Sequence, residues 1–137
     1  MTFTYITFMN QEERCRYVIA KDEGVTVGAT GGCGHAQDSF AASWGVGTIA
    51  TNGTNFGIAF GSDYESSGNE RVAVEVRGLS GPLLSAPIED GNWLVVLPLP
   101  SADATITGLR AFRGDQVVET IDTRPPHTTD PRINATP

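Results

Sequence analysis

The stretch that decides the fold class is residues 71–77, Arg-Val-Ala-Val-Glu-Val-Arg. Its valines recur at every second position, whereas the charged residues occupy the positions between them. A period of two is the repeat of a β-strand, whose side chains point alternately to opposite faces. The segment Arg71–Arg77 is therefore predicted to be a half-buried strand, with its valines directed inward.

Short β-prone runs continue on both sides of this strand, separated by glycine and Asn/Asp turns. Asp90-Gly91 is a hairpin turn signal, and it leads into the apolar run Asn92–Leu97. The other predicted strands are Thr2–Phe8, Cys15–Ala20, Val25–Ala29, Ser39–Trp44, Thr48–Thr51, Phe56–Phe60, Leu83–Ile88, Ala104–Phe112 and Gln116–Asp122. About ten strands at regular spacing, with no convincing helix, predict an all-β fold, specifically an antiparallel β-sandwich.

The chain of 137 residues has the length of one ordinary domain. Residues 1–122 are predicted to form this single domain. Residues 123–137 are rich in proline and are predicted to be an extended or disordered tail. Within the domain, the glycine-rich segment Thr30–His35 and the polar segment Gly61–Glu70 are predicted to be loops.

Net charge excludes some partners. The formal net charge of −7 disfavours nucleic acid and anionic membranes, because like charges repel. Most basic residues are arginines, and they form no evident cluster in the sequence. No stretch approaches the roughly 20 apolar residues that span a bilayer, so membrane insertion is not expected. The first eight residues alternate in polarity and do not resemble a signal peptide. The expected location is therefore either cytoplasmic, or outside the cytoplasm after removal of a leader.

The two cysteines, Cys15 and Cys33, leave two alternatives open. A disulfide between adjacent strands would contribute roughly 3 kcal/mol through chain entropy and would imply an oxidising compartment. Two reduced, buried thiols are the other alternative. The sequence between the two cysteines contains no CxxC pair that would indicate a redox motif or a zinc site.

The arrangement of residues 71–122 gives a resemblance at the level of pattern. It consists of Val-x-Val-x-Val, a short strand, an Asp-Gly-x-Trp-Leu-x-x-Leu-Pro hairpin and a Leu-x-Ala-Phe-x-Gly-Asp strand pair. This pattern resembles immunoglobulin-like β-sandwich domains of uncharacterised secreted or membrane-tethered actinobacterial proteins. In those domains a pair of cysteines often precedes the sandwich. The resemblance therefore implies a Cys15–Cys33 disulfide and an extracellular or envelope location.

Residues that could carry chemistry are few. His127 lies in the proline-rich tail, and His35 stands beside Cys33 without an evident third group to orient a Cys–His dyad. Cys33, His35 and Asp38 could hold zinc only with a fourth ligand. The acidic segment with Asp63, Glu65 and Glu70 lacks the dense spacing of a calcium loop. The protein is therefore predicted not to be an enzyme and to need no cofactor or metal.

Contact residues are instead expected in two segments, Thr30–Asp38 and Gly61–Glu70. The candidates in these segments are Tyr64, His35, Asp63 and Glu65, and a further candidate is Trp44, which ends an apolar run before Gly45 and is expected at a rim. Tyr5 and Tyr17 are further aromatic residues that could anchor a partner, whereas Trp93 lies within an apolar strand and is predicted to be core.

The predicted function is a non-catalytic binding or assembly module of the cell envelope or extracellular space, with a protein or cell-surface partner. One alternative is a structural subunit of a phage or surface filament that uses its tail as an arm. Another is a small-ligand-binding β-barrel. An oligomer is compatible with any of the three.

Overall fold

The computed structural model describes residues 1–34, 37–80, 84–101 and 103–124. These residues contain ten strands, in agreement with the all-β prediction. They are β1 (Thr2–Asn10), β2 (Glu13–Asp22), β3 (Val25–Gly34), β4 (Gly45–Thr51), β5 (Thr54–Ser62), β6 (Arg71–Val76), β7 (Leu84–Pro87), β8 (Asn92–Pro98), β9 (Ile106–Arg113) and β10 (Gln116–Asp122). In the part of the chain that the structure describes, the one helical element is a short 3₁₀ turn at Glu65–Ser67.

The strands form three sheets, and every pairing is antiparallel. The first sheet has the order β1-β2-β3, the middle sheet β4-β5-β8 and the third sheet β10-β9-β6-β7. The predicted hairpin around residues 21–24 joins β2 to β3, and the one at Asp90-Gly91 leads into β8. The antiparallel sandwich prediction therefore holds, with three sheets.

The middle sheet is buried on both faces, which makes the fold three layers deep. Along β8, Trp93 and Val95 enter one apolar core, whereas the alternate residues Leu94 and Val96 pack against a second core. The larger core lies between the middle and third sheets, and the smaller core lies between the first and middle sheets. Burial on both faces explains why Asn92–Leu97 is a continuous apolar run without alternation.

The valines that decided the fold class point into the larger core. Val72 and Val74 have no exposed surface, and Val76 is 2% exposed. On the opposite face of β6, Glu75 accepts a hydrogen bond from Arg110 of β9 at 2.8 Å. The predicted inward and outward faces of this strand are therefore confirmed for its valines and its charged residues.

Gly61 lets the indole of Trp93 lie directly against β5. The two residues are register partners, and a Cβ added at Gly61 would lie 2.7 Å from Cζ2 of Trp93. We expect Gly61→Ala to lower the free energy of unfolding by about 1–3 kcal/mol, because the core must shift to admit the methyl group.

Urea denaturation checks this effect, with Gly32→Ala as the matched control. A Cβ at Gly32 would meet nothing within 4 Å, and its backbone lies outside the left-handed region. The control is expected to be as stable as the wild type, and equal losses in the two variants would contradict the packing assigned to Gly61.

Several sequence-based boundaries differ from those of the structure. Residues 30–34, predicted as part of a loop, continue β3 and pair with β2, from Val18↔Thr30 to Arg14↔Gly34. The ladder with β2 satisfies their backbone groups, and this tertiary pairing overrides the low β-propensity of glycine.

Residues 39–44, predicted as a strand, form a turn instead, because the Ala42 and Ser43 N–H groups both donate to the Ser39 carbonyl. Phe40, at 1% exposure, fills the larger core from this turn. Its burial explains why the segment is apolar without being a strand.

The predicted polar loop Gly61–Glu70 is also shorter than expected. Gly61 and Ser62 belong to β5, and Asp63 is only 4% exposed. At the other end of the chain, Thr123 still donates a hydrogen bond from its hydroxyl to the Ile106 carbonyl. Two further predictions fall partly outside the described residues. These are residue 83, the first of the predicted strand Leu83–Ile88, and residues 125–137 of the predicted tail.

Candidate functional site

The disulfide joins two strands of the first sheet. Cys15 of β2 and Cys33 of β3 are direct register partners, and their sulfurs are bonded. Of the two alternatives left open by the sequence, the structure therefore has the disulfide. Cys15 has no exposed surface, although it lies on the face of this sheet that points away from the smaller core.

This outward face is apolar and carries an aromatic stack. The rings of Phe8 and Tyr17 are stacked, with their centroids 6.1 Å apart and their planes within 13°. Phe8 is 45% exposed and Ile6 is 36% exposed, and Ile19 is half-buried beside Tyr17. We call this surface, made by Ile6, Phe8, Tyr17 and Ile19 with the disulfide, the aromatic face.

Charged residues are absent from the central rows of the aromatic face. The register places Thr4 and Ala29 on either side of Ile19, and Gly31 next to Tyr17. Gly31 and Ala29 of β3 have small side chains or none, so the larger side chains of β1 and β2 project further from the sheet than this neighbouring strand does. An exposed apolar surface without charge, on a chain of net charge −7, is typical of a contact surface.

The inward face of the same sheet becomes polar at one end of the molecule. Beyond the smaller core it carries Arg16 and Arg14, and both guanidinium groups meet Asp38. Nη2 of Arg16 donates to Oδ1 of Asp38 at 2.8 Å and to the Gln37 carbonyl at 3.0 Å. Nη2 of Arg14 lies 3.6 Å from the other carboxylate oxygen. We call these three residues the arginine cluster.

Sequence reasoning missed the arginine cluster, although a signal was present. Arginines two positions apart in a strand, as in Arg14-Cys15-Arg16, point to the same face. Arg16 is only 7% exposed, so its charge needs a partner. The sequence alone does not show that Asp38 supplies one from a distant loop.

The first of two clefts at this end lies between β3 and the start of β4. It has a volume of about 250 Å³, with Trp44 half-buried at its side and Arg16 among its polar groups. The described residues that line it include no acidic side chain. We call it the Trp44 cleft. The prediction that Trp44 stands at a rim fits this position.

The second cleft brings the two predicted contact segments together. It has a volume of about 340 Å³, and Asp38 from one segment lines it together with Asp63, Tyr64 and Glu65 from the other. Tyr64 is 52% exposed, which leaves its ring available to a partner. We call this the Tyr64 cleft. His35, the fifth predicted contact residue, lies outside the described residues.

The carboxylate of Asp63 is occupied within the protein. Its Oδ1 accepts the Tyr64 N–H at 2.8 Å, and its Oδ2 accepts hydrogen bonds from the Ser67 hydroxyl at 3.1 Å and the Asn69 amide at 2.7 Å. These bonds fold the turn that presents Tyr64. Asp63 therefore supports the predicted contact residue Tyr64, and its own oxygens face inward.

Tyr5 lies between the smaller core and the polar end. Its hydroxyl forms a hydrogen bond of 3.2 Å with the Ser62 hydroxyl. Burial raises the pKa of the Tyr5 phenol, and the Ser62 hydrogen bond opposes this shift only in part. The phenol is therefore neutral near pH 7 and acts as a hydrogen-bonding group. The other aromatic candidate from the sequence, Tyr17, lies on the aromatic face.

The disulfide also bears on the reactive residues considered from the sequence. With its sulfur bonded to Cys15, Cys33 presents neither a thiolate nucleophile nor a zinc ligand. Among the residues that the structure describes, no three His, Cys, Asp or Glu side chains are grouped so as to hold a metal ion. Nor does any helix in the described ranges have the length and apolar character to cross a membrane.

Comparison of the chain with protein-family models, with curated proteins and with solved structures gave no match.

Proposed function

We propose that this protein is a non-catalytic binding or assembly module of the cell envelope or extracellular space. It contacts a protein partner there through the aromatic face. The observation that carries the proposal is the exposed, uncharged stack of Phe8 on Tyr17 on the outward face of the first sheet. Aromatic residues at the centre of an apolar patch are the usual anchors of protein interfaces.

The disulfide supports both parts of the proposal. It persists in oxidising compartments, which are found outside the cytoplasm. It also fixes β2 to β3 at the row that contains Phe8, so the aromatic face is rigid before it meets a partner. A preorganised surface loses less conformational entropy on binding than a mobile loop does.

Fractionation of cells that naturally produce the protein tests this function. Wild-type protein is expected in the envelope fraction or outside the cell. Phe8→Ser is expected to weaken retention by the partner about 30-fold or more, as for a typical hot-spot aromatic. Val117→Ser is the matched control, because Val117 is 40% exposed on β10, away from the aromatic face.

Two outcomes would count against the proposal. Equal retention of the Phe8→Ser and wild-type proteins would remove the aromatic face as the contact surface. Wild-type protein recovered from the cytoplasm with both thiols free would remove the envelope location.

The Trp44 cleft favours a second candidate function, the binding of a small ligand. The sequence-based version of this hypothesis placed the ligand inside a β-barrel. Here the two cores are filled by apolar side chains, and the available space lies in clefts at the polar end. A third candidate, the filament subunit, relies on tail residues 125–137, which lie outside the described residues, and it stays a prediction.

A further inference from the structure

The guanidinium of Arg16 is fixed by hydrogen bonds, but not all of its N–H groups have an acceptor. Its Nη2 binds Asp38 and the Gln37 carbonyl. Its Nε is buried and has no hydrogen-bond partner within the described part of the chain. A buried donor without a partner is costly, so such groups in native proteins usually meet a water molecule or a ligand. The Nε itself has essentially no exposed surface, but Arg16 lines the Trp44 cleft and supplies the basic group among its described lining residues.

Arg16 shares its carboxylate partner with a second arginine. The single carboxylate of Asp38 lies against both Arg16 and Arg14, so it does not neutralise Arg16 alone. Among the described residues that line the Trp44 cleft, no acidic side chain offsets this charge. Although the whole chain has a formal charge of −7, this cleft therefore favours an anion.

The rest of the cleft limits the kind of anion. Trp44, Val46 and Phe60 are the large apolar residues among its described lining residues, and the glycine-rich end of β3 lines another side. A volume of about 250 Å³ is slightly below the roughly 300–1,000 Å³ of pockets for drug-sized ligands. The planar guanidinium fork of Arg16 matches the two oxygens of a carboxylate, and the apolar lining favours an anion that also carries an apolar body.

We propose that the Trp44 cleft binds a small monocarboxylic acid with an apolar or aromatic body, whose carboxylate is received by Arg16. The apolar body lies against Trp44 and Val46. This site is independent of the aromatic face, which lies on the opposite side of the first sheet, so either proposal can fail without the other.

Phenylacetate is a suitable probe, with phenylacetamide as its neutral counterpart of the same shape. Titration followed by backbone amide chemical shifts in NMR is expected to give a dissociation constant of about 1 mM or tighter for phenylacetate. Phenylacetamide is expected to bind at least about tenfold more weakly, because it cannot form the charge-assisted bond to Arg16. Inorganic phosphate, which lacks an apolar body, is also expected to bind more weakly.

Gly32→Leu tests the location of the site without removing a charge. Gly32 is the register partner of Arg16, lines the cleft, and has open space where a Cβ would stand. The leucine side chain is expected to fill the cleft and weaken phenylacetate binding at least about tenfold. Ala29→Leu is the matched control, because Ala29 is exposed on the same strand but belongs to the opposite face.

Several results would overturn this proposal. They are equal affinity for phenylacetate and phenylacetamide, phosphate binding as tight as phenylacetate binding, or undiminished phenylacetate binding by Gly32→Leu. Absence of chemical-shift changes at a phenylacetate concentration tenfold above the expected dissociation constant would also overturn it. The comparison of acid, amide and phosphate uses wild-type protein, so it does not depend on the folding of any variant.

Discussion

Replacing Trp93 with alanine is expected to lower the free energy of unfolding by about 3–5 kcal/mol, the usual loss for a large aromatic side chain in a core. Trp93 is 2% exposed in the larger core, lies against Gly61, and has its ring centroid 5.9 Å from that of Phe40. The adjoining side chains are held in two different sheets or in the turn at residues 39–43, so the space left by the indole cannot close easily.

Leu94→Ala is the comparison variant for Trp93→Ala. Leu94 is the next residue of β8, is half-buried, and packs on the opposite face of the middle sheet. In urea denaturation under the same conditions, Leu94→Ala is expected to lose clearly less free energy of unfolding than Trp93→Ala. A Trp93→Ala variant that is no less stable than Leu94→Ala would contradict the position of the larger core.

The second large effect is expected on removal of the disulfide. Replacing both Cys15 and Cys33 with alanine is expected to cost about 2–4 kcal/mol of stability, because the bond restricts the unfolded chain between residues 18 positions apart. Alanine is preferred to serine because Cys15 has no exposed surface, and a hydroxyl there would be buried.

Thermal unfolding with and without a reductant measures this contribution. The wild type is expected to unfold at a lower temperature in the reductant, whereas the double alanine variant is expected to be insensitive to it. If oxidised wild-type protein had two titratable thiols after denaturation, the Cys15–Cys33 pairing would be wrong.

Much of the third sheet and the strand β8 could be predicted from the sequence, for physical reasons. The alternation in Arg71–Arg77 reflects one buried face and one charged face, which is the clearest signature a strand can have. Trp93 was predicted as core because it lies in an unbroken apolar run, and it is 2% exposed. The local sequence pattern was sufficient where a strand has one buried and one exposed face, as in β6, or is apolar along its whole length, as in β8.

Patterning failed where distant contacts decide the structure. The glycines of residues 31–34 have low strand propensity, but pairing with β2 holds them in β3. Phe40 is apolar because the turn at residues 39–43 covers the larger core, and this apolar residue gave a false strand signal. The assignment of strands to three layers also depends on contacts between segments far apart in the chain.

The candidate sites show the same limit. The sequence pointed to Tyr64 and Trp44, and the structure places each of them at a cleft at the polar end. It did not single out Phe8, whose exposure follows from the outward face of the first sheet having no covering layer in the described structure. The arginine cluster was also missed, because Asp38 reaches β2 only through the tertiary fold.

Photo-crosslinking tests most directly whether the aromatic face is the contact surface of this protein. A benzophenone-bearing residue is placed at position 6 or 19, so that Phe8 and Tyr17 are kept, and at position 117 as the control. In cells that naturally produce the protein, positions 6 and 19 are predicted to give the same adduct, with an envelope protein or with a second copy of this chain. Position 117 is predicted not to give it. No adduct at positions 6 and 19, or the same adduct at all three positions, would contradict the proposed role of the aromatic face.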